Sequence, residues 1–294
     1  MFSEQQRQDV ITTLETCLIQ PEQGLASIYQ DLNNYRNKQP LLGDLKAKVQ
    51  HFQEPLRAYL QAQQPNLTTL AIDVPFFFEA AKQTQHTLMI CAMDPLPPLP
   101  DSLFWKDNSV DFQNDVGFWV PFSLIDNWEQ PTGSMRSNLP FFQTLLQDYN
   151  LYITDIFKLF FRVKKPNQLV NSNAISAYTQ LQNEKGENLH GAILAKEIEC
   201  VKPQAIMTLG NPARNHLLTI NHLLNASAQT PQKWSADLQH YRWNNQTPII
   251  SAPHISGAAN GAKALVLNNP AYKHLEGKYQ NEKLAKIILS QLKV

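Results

Sequence analysis

The chain has few of the features that mark several large classes of protein. Its three cysteines, Cys17, Cys91 and Cys200, lie far apart in the sequence. Because there is no CxxC pair and no set of four cysteines, the sequence argues against a cysteine-ligated zinc or iron–sulfur site. An odd and sparse cysteine count is typical of a reducing compartment, so we expect a cytoplasmic protein.

Long apolar runs and an excess of charge of either sign are also missing. No run approaches the length of a membrane span, and the N-terminus lacks the apolar segment of a signal peptide, so we expect no membrane contact. The 25 basic and 25 acidic residues give a formal net charge of zero. A protein held on nucleic acid by overall charge would be more basic, so nucleic-acid binding must depend on local patches. The eight histidines show no HxH or HxxxH spacing, so we expect no metal and no other cofactor.

Two regions of different hydrophobic periodicity divide the chain. In residues 1–66, apolar residues recur at three- and four-residue spacing, with breaks at Pro21 and Pro40. This pattern predicts three helices that pack on a larger body. From residue 67 to residue 294 the pattern changes to short apolar runs that alternate with helical segments, which predicts the main domain.

Four nearly continuous apolar runs are typical of strands buried on both faces of a parallel sheet. Helical periodicity lies between and after them, and we predict an α/β fold with a doubly wound, mainly parallel four-stranded sheet flanked by helices. A weaker run at 69–74 is expected to add an edge strand, and residues 97–140 are expected to be an irregular, acidic loop or lid. The strands are predicted at 87–92, 151–157, 205–209 and 248–252, and the helices at 189–201, 212–224 and 282–292.

Two of these runs end in residues that can carry proton or charge chemistry. Asp94 follows the first predicted strand and His254 follows the last. In an open parallel sheet, ligands bind just beyond the carboxyl ends of the strands. The sequence therefore predicts that an acid and an imidazole share one site there.

Five segments resemble, in order, the motifs of the uracil-DNA glycosylase superfamily. The first is Cys-Ala-Met-Asp-Pro with the isoleucine before it, and the last is Pro-His-Ile-Ser. Between them lie an aromatic segment, a strand that ends in Asp and Lys, and a helix–Pro–strand–Gly run. The five segments span residues 90–95, 117–124, 152–158, 197–210 and 253–256. The resemblance implies the superfamily's α/β fold and a monofunctional, metal-independent DNA glycosylase that excises a deaminated or modified, uracil-like base in DNA repair.

The resemblance also implies a role for each candidate residue. Asp94 would orient or activate the attacking water, and His254 would stabilise charge that develops on the leaving base. The ring of Phe122, with Phe118 as the alternative, would stack on the flipped base. The remaining candidates would contact substrate: Met93 through its backbone N–H, Pro95 and Ser256 as members of the first and last motifs, and Asp155 at the base edge. Lys158 follows the same strand, and the excess of basic charge at 151–165 predicts that it contacts a phosphate.

Asp155 stands where the family has an asparagine, and this difference leaves open which base is recognised. An asparagine offers one donor and one acceptor, which match uracil, whereas an ionised aspartate offers acceptors only. A protonated Asp155 would match either uracil or the reversed pattern of cytosine. Burial near Asp94 would favour protonation of one of the two carboxyl groups. We therefore expect base preference to depend on pH.

Departures from the family motifs keep two other functions open. Gly, Gln and Tyr of the first motif are replaced by Ala92, Met93 and Leu96, and no bulky leucine follows the last motif. One alternative is a catalytically inactive member of the fold that binds nucleic acid or, through the N-terminal helices, a protein partner. The other is an N-glycoside hydrolase of free nucleosides or nucleotides, which the zero net charge and the acidic 97–127 segment favour. For the DNA glycosylase, basic residues at 151–165 and 261–294 would contact phosphates.

Overall fold

The fold is described from a computed structural model of the protein. The structure describes residues 2–17, 24–36, 47–48, 51, 54, 58, 62, 67–73, 75–93, 117–119, 135–165, 168–171, 181–183, 185–220, 237–244, 246–256 and 259–292. Within these residues the chain is an α/β protein with two β-sheets.

The larger sheet has six strands among the described residues and is mixed. Its order is β2 (Phe76–Phe78), β5 (Asn150–Asp155), β3 (Thr87–Ala92), β8 (Ala205–Leu209), β10 (Thr247–Ala252) and β9 (Gln239–Trp243). The inner four strands, β5, β3, β8 and β10, run parallel to one another, and the outer strands β2 and β9 are antiparallel to their neighbours. Every residue of β3, β5 and β8 is buried, so both faces of the sheet centre are covered.

The inner strands are the four that apolar runs predict, and the α/β class is confirmed. The sheet is nevertheless wider than the predicted four strands, because β2 and β9 extend it on both sides. Strand β9 has alternating rather than continuous burial, and its sequence Gln-His-Tyr-Arg-Trp carries little apolar signal. Such an edge strand gains most of its stability from backbone pairing, which composition does not report.

A second sheet, which the sequence does not predict, has four strands among the described residues. Its order is β4 (Gly117–Trp119), β1 (Leu67–Asp73), β6 (Leu159–Lys165) and β7 (Gln168–Asn171). The expectation of an edge strand at 69–74 is wrong in position, because β1 lies between β4 and β6. The expected irregular segment 97–140 is also interrupted, by β4 and by a helix that begins at Met135; its other residues lie outside the described part.

Helices pack in two groups beside the larger sheet. The structure describes α1 (Glu4–Cys17), α2 (Gly24–Arg36), α3 (Met135–Leu145), α4 (Leu189–Val201), α5 (Asn211–Ile220), α6 (Asn260–Leu267) and α7 (Gln280–Leu292). Helix α1 packs on α2 and α4, and α7 packs on α3 and α6. Helix α4 begins at the Asn188 side chain, which accepts a hydrogen bond from the N–H of Gly191, and ends at Lys202 in the left-handed conformation before Pro203.

The N-terminal helices contact the main body. Arg7 of α1 forms an ion pair with Glu79, and the side chain of Gln6 donates a hydrogen bond to the carbonyl of Val201. The predicted third helix falls largely outside the described residues, and the domain boundary at 66/67 stays a prediction. Among the helices that the structure describes, none combines the length and the apolarity needed to cross a membrane.

Candidate functional site

The carboxyl ends of the four parallel strands meet at one edge of the larger sheet. Asp155 is the last residue of β5, Met93 follows β3, Gly210 follows β8, and His254 lies two residues beyond β10. The backbone links neighbouring ends: Phe157 N–H donates to the carbonyl of Met93 at 2.9 Å, and Gly210 N–H donates to that of Ala252 at 2.8 Å. The topology therefore places four of the sequence-predicted segments along this edge.

His254 is held in one tautomer by Ser256. The backbone N–H of Ser256 donates to the imidazole Nδ1 of His254 at 3.1 Å, and the Ser256 hydroxyl oxygen lies 2.8 Å from the same nitrogen. A backbone N–H can only donate, so Nδ1 is the acceptor and the neutral ring carries its proton on Nε2. Burial, together with the charge of Lys263, lowers the pKa of His254. The ring is therefore a neutral Nε2–H donor at neutral pH.

Gly210 gives the turn beside His254 its shape. Its φ of +92° lies in the left-handed region, which favours glycine. A Cβ atom on Gly210 would lie 3.4 Å from the Cβ atom of His254. The same turn begins helix α5, and the side-chain oxygen of Asn211 at its start is buried without a hydrogen-bond partner among the described residues. These two residues thus line the edge between β8 and β10.

Asp155 and Met93 lie at the other half of this edge. Asp155 is buried, and its backbone N–H donates to Oδ2 of Asp73 at 2.9 Å. Met93 is half-buried and packs against the core. The position of Asp155 is thus set from the second sheet, since Asp73 is the last residue of β1.

Lys158 lies in a buried ionic cluster. Its ammonium Nζ binds Oδ2 of Asp73 at 3.1 Å and Oε2 of Glu197 at 2.7 Å, and all three side chains are fully enclosed. Thr154 donates to Oδ2 of Asp73 at 2.8 Å, and the Tyr152 hydroxyl donates to Oε1 of Glu197 at 2.6 Å. The cluster joins β1 of the smaller sheet, β5 of the larger sheet and helix α4. The phosphate contact of Lys158 stays a prediction; in this structure its ammonium has two carboxylate partners.

Electrostatics within the cluster depend on the balance between burial and pairing. Burial raises the pKa of Asp73 and of Glu197. Burial alone would lower the pKa of Lys158, but the attraction of Glu197 and Asp73 raises it above its ordinary value. The neighbouring His190, whose Nδ1 accepts the backbone N–H of Lys158, has a pKa lowered to about 3 by burial and by the Lys158 charge. The cluster therefore keeps a cation and a neutral imidazole in the interior.

The remaining predicted site residues fall outside the described part of the chain or are described only in part. Asp94, Pro95 and Phe122 lie outside the described residues. Phe118 is described at the backbone only, where it pairs with Ile72 in the smaller sheet. Among the residues that are described, no three histidine, cysteine, aspartate or glutamate side chains are arranged to hold a metal ion.

The structure adds residues to the site region that sequence patterns missed. Lys263 and Asn281 are buried and hydrogen-bond to the backbone of the segment after β10, and Asp73 fixes the backbone of Asp155. A glycine directly after a buried strand, as at Gly210, is the one local signal that points to such a turn. The chain matches no known protein-family model and no curated protein, so its relationship to other proteins depends on the motifs and the geometry described above.

Proposed function

We propose that the chain is a divergent member of the uracil-DNA glycosylase superfamily that hydrolyses the N-glycosidic bond of a deaminated or modified base. In this proposal the four inner strands are the superfamily's parallel sheet, doubly wound by helices on both faces. Substrate binds at their carboxyl edge, and the active protein works in the cytoplasm on DNA.

The observation that carries the proposal is the state of His254 at this edge. Cleavage of an N-glycosidic bond places negative charge on the leaving base, and a preorganised donor lowers the barrier. A neutral Nε2–H imidazole is such a donor, and its lowered pKa keeps it neutral at physiological pH. Ser256 fixes the tautomer through Nδ1, so Nε2 carries the hydrogen that the ring can donate.

Asp94 completes the proposed mechanism. It directly follows Met93, whose backbone is held by Phe157 at the same edge as His254. We propose that its carboxylate orients a water molecule toward the sugar carbon, while Asp155 contacts the base edge and Phe122 or Phe118 stacks on the ring.

A test of this function is base release from single- and double-stranded oligonucleotides that carry uracil, hypoxanthine, xanthine or mismatched cytosine. We expect release by the wild-type protein from at least one substrate, and its loss in Asp94→Asn and in His254→Ala. His274→Ala, which removes an exposed histidine elsewhere, is the matched control and should retain activity. A folded wild-type protein that releases no base from any of these oligonucleotides would overturn the proposal.

A second candidate is an N-glycoside hydrolase of free nucleosides or nucleotides. The enclosure of Lys158 favours it, because a basic residue expected beside the DNA backbone is instead bound to Asp73 and Glu197. The same variants incubated with free deoxynucleosides and their monophosphates distinguish the two functions. Release from the free compounds but not from oligonucleotides would assign the second function.

A further inference from the structure

We propose that Lys263 and Asn281 are positioning residues for His254 and act through the peptide group that joins Ile255 to Ser256. The inference deepens the proposed function, since it names the residues that prepare the imidazole for the leaving base. Neither residue is a candidate by itself from the sequence, where Lys263 is one of the basic residues of 261–294 that are expected to contact phosphates.

Both polar ends of the peptide group between Ile255 and Ser256 are hydrogen-bonded. The carbonyl of Ile255 accepts hydrogen bonds from Nζ of Lys263 at 3.0 Å and from Nδ2 of Asn281 at 3.0 Å. The N–H of the same peptide group belongs to Ser256 and donates to Nδ1 of His254 at 3.1 Å. In a trans peptide the C=O and N–H bonds point in opposite directions. The imidazole therefore binds one edge of this peptide group, and the Lys263–Asn281 pair binds the opposite edge.

Lys263 and Asn281 also hold each other. Each is 3% exposed, and Nζ of Lys263 lies 3.1 Å from Oδ1 of Asn281. Nδ2 of Asn281 further contacts Oδ1 of Asn138 at 3.0 Å and the Ser137 carbonyl at 3.1 Å. The pair thus ties the loop that carries His254 to the first turns of α3 and α7 and to α6.

The environment of Lys263 is unusual for a buried ammonium group. Within the described part of the chain, its partners are the Ile255 carbonyl and the Asn281 amide oxygen, and no carboxylate pairs with it. Burial accordingly lowers the pKa of Lys263. A buried charge without a counter-ion costs free energy. We therefore infer that the charge of Lys263 is retained because it acts on a neighbouring group.

The charge acts on His254 in two ways. A cation at the Ile255 carbonyl polarises the peptide group, which makes the Ser256 N–H a stronger donor to Nδ1. The same charge opposes protonation of the ring, so that it adds to burial in lowering the pKa of His254. Both effects favour the neutral Nε2–H form that the leaving base requires.

The test is nuclear magnetic resonance of the full chain with ¹⁵N-labelled histidine. In the wild type we expect the Nε2–H tautomer and a trans-hydrogen-bond coupling between the Ser256 amide nitrogen and Nδ1 of His254. In Lys263→Met we expect the pKa of His254 to rise by about half a unit or more. The Ser256 amide should also exchange with solvent about tenfold faster or more.

A matched control separates this role from general packing. Lys283→Met removes another ammonium group that binds a backbone carbonyl, that of Leu267, in the α6–α7 region. It should leave the His254 tautomer and titration unchanged. An unchanged His254 titration and an unchanged Ser256 exchange rate in Lys263→Met would overturn the proposal.

A measurement on the wild type keeps the proposal open to refutation if Lys263→Met does not fold. Raising the pH through the titration of Lys263 should shift the Nδ1 resonance of His254 at the same midpoint. An Nδ1 resonance of His254 that does not follow the Lys263 titration would refute the proposed coupling between the two residues. These readouts do not depend on catalysis, so their failure is distinct from an absence of base release. If base release is found, kcat in Lys263→Met should fall more than tenfold with little change in KM.

Discussion

The backbone N–H of Ser256 points at Nδ1 of His254, at 3.1 Å. This hydrogen bond gives one imidazole nitrogen a fixed acceptor role, so the other nitrogen is the donor. Ser256, two positions after His254, thereby determines that the ring can donate a hydrogen bond from Nε2.

Base selectivity should depend on pH through Asp155. The ratio of cytosine to uracil release is expected to change between pH 5 and pH 8, because a protonated carboxyl matches both bases whereas an ionised one offers acceptors only. Asp155→Asn supplies a fixed amide, so its selectivity should favour uracil and stay flat with pH. Initial rates on paired oligonucleotides across this range are the measurement. A flat ratio in the wild type would contradict the prediction.

Gly210→Ala should destabilise the protein and disturb His254. The left-handed backbone at this position costs an alanine about 1–2 kcal/mol, and the new methyl group contacts the Cβ atom of His254. Gly186→Ala is the matched control, since Gly186 also has a positive φ but has nothing within 4 Å of its Cβ position. Urea unfolding should show a similar loss in both variants. Only Gly210→Ala should shift the His254 ring resonances; equal shifts in both would refute the assignment of Gly210 to the site.

Lys158→Met should be among the most destabilising single changes in the described core. It leaves the carboxyl groups of Asp73 and Glu197 buried without their cation, and breaking a buried pair in this way typically costs about 3–5 kcal/mol. Adding Glu197→Gln to Lys158→Met removes one uncompensated acid and should restore part of the loss. Chemical denaturation of the two variants and the wild type measures both effects. A Lys158→Met variant as stable as the wild type would show that the ion pairs contribute no net stability.

Acid should destabilise the folded state through His190. In the folded protein the pKa of His190 is about 3, which lies below the pKa of a histidine in the unfolded chain. The contribution of the neutral His190 to the free energy of unfolding is therefore complete above the pKa of the unfolded state, and it is lost as the pH falls toward the pKa of the folded state. Between pH 7 and pH 5 this amounts to about 2 kcal/mol.

His190→Gln tests that contribution. Glutamine retains an acceptor for the Lys158 N–H but does not titrate. The free energy of unfolding of this variant should therefore fall by about 2 kcal/mol less over the same pH interval. The same pH dependence in the variant and the wild type would assign the acid sensitivity to other groups.

Local patterns predicted the inner sheet because its strands are apolar on both faces. Residues 87–92 and 205–209 coincide with β3 and β8, and helix α4 coincides with the predicted 189–201. The sequence does not predict the smaller sheet. Its strand Leu159–Lys165 carries charged residues and follows β5 after a short turn, so it lacks the apolar run of a buried strand. Pairing with β1, far away in sequence, is what makes that segment a strand.

The sequence pattern points to the ends of the inner strands but not to the distant groups that support them. The motif predicts His254 and Ser256, whereas the sequence predicts phosphate contacts for Lys158 and for the basic residues of 261–294, which include Lys263. The burial of Lys158 depends on a distant group that compensates its charge, since its partner Asp73 is 85 residues away in the chain. No periodicity within a short window carries that information.

The position of β3 in the middle of the sheet also constrains when the sheet can form during synthesis of the chain. One neighbour, β5, follows it closely enough to pair early, but the other, β8, leaves the ribosome about 110 residues later. Until then β3 has one open edge, and the apolar faces of β3 and β5 lack helix α4. The nascent chain should therefore gain protease resistance in one late step, when residues 205–252 emerge and close the sheet.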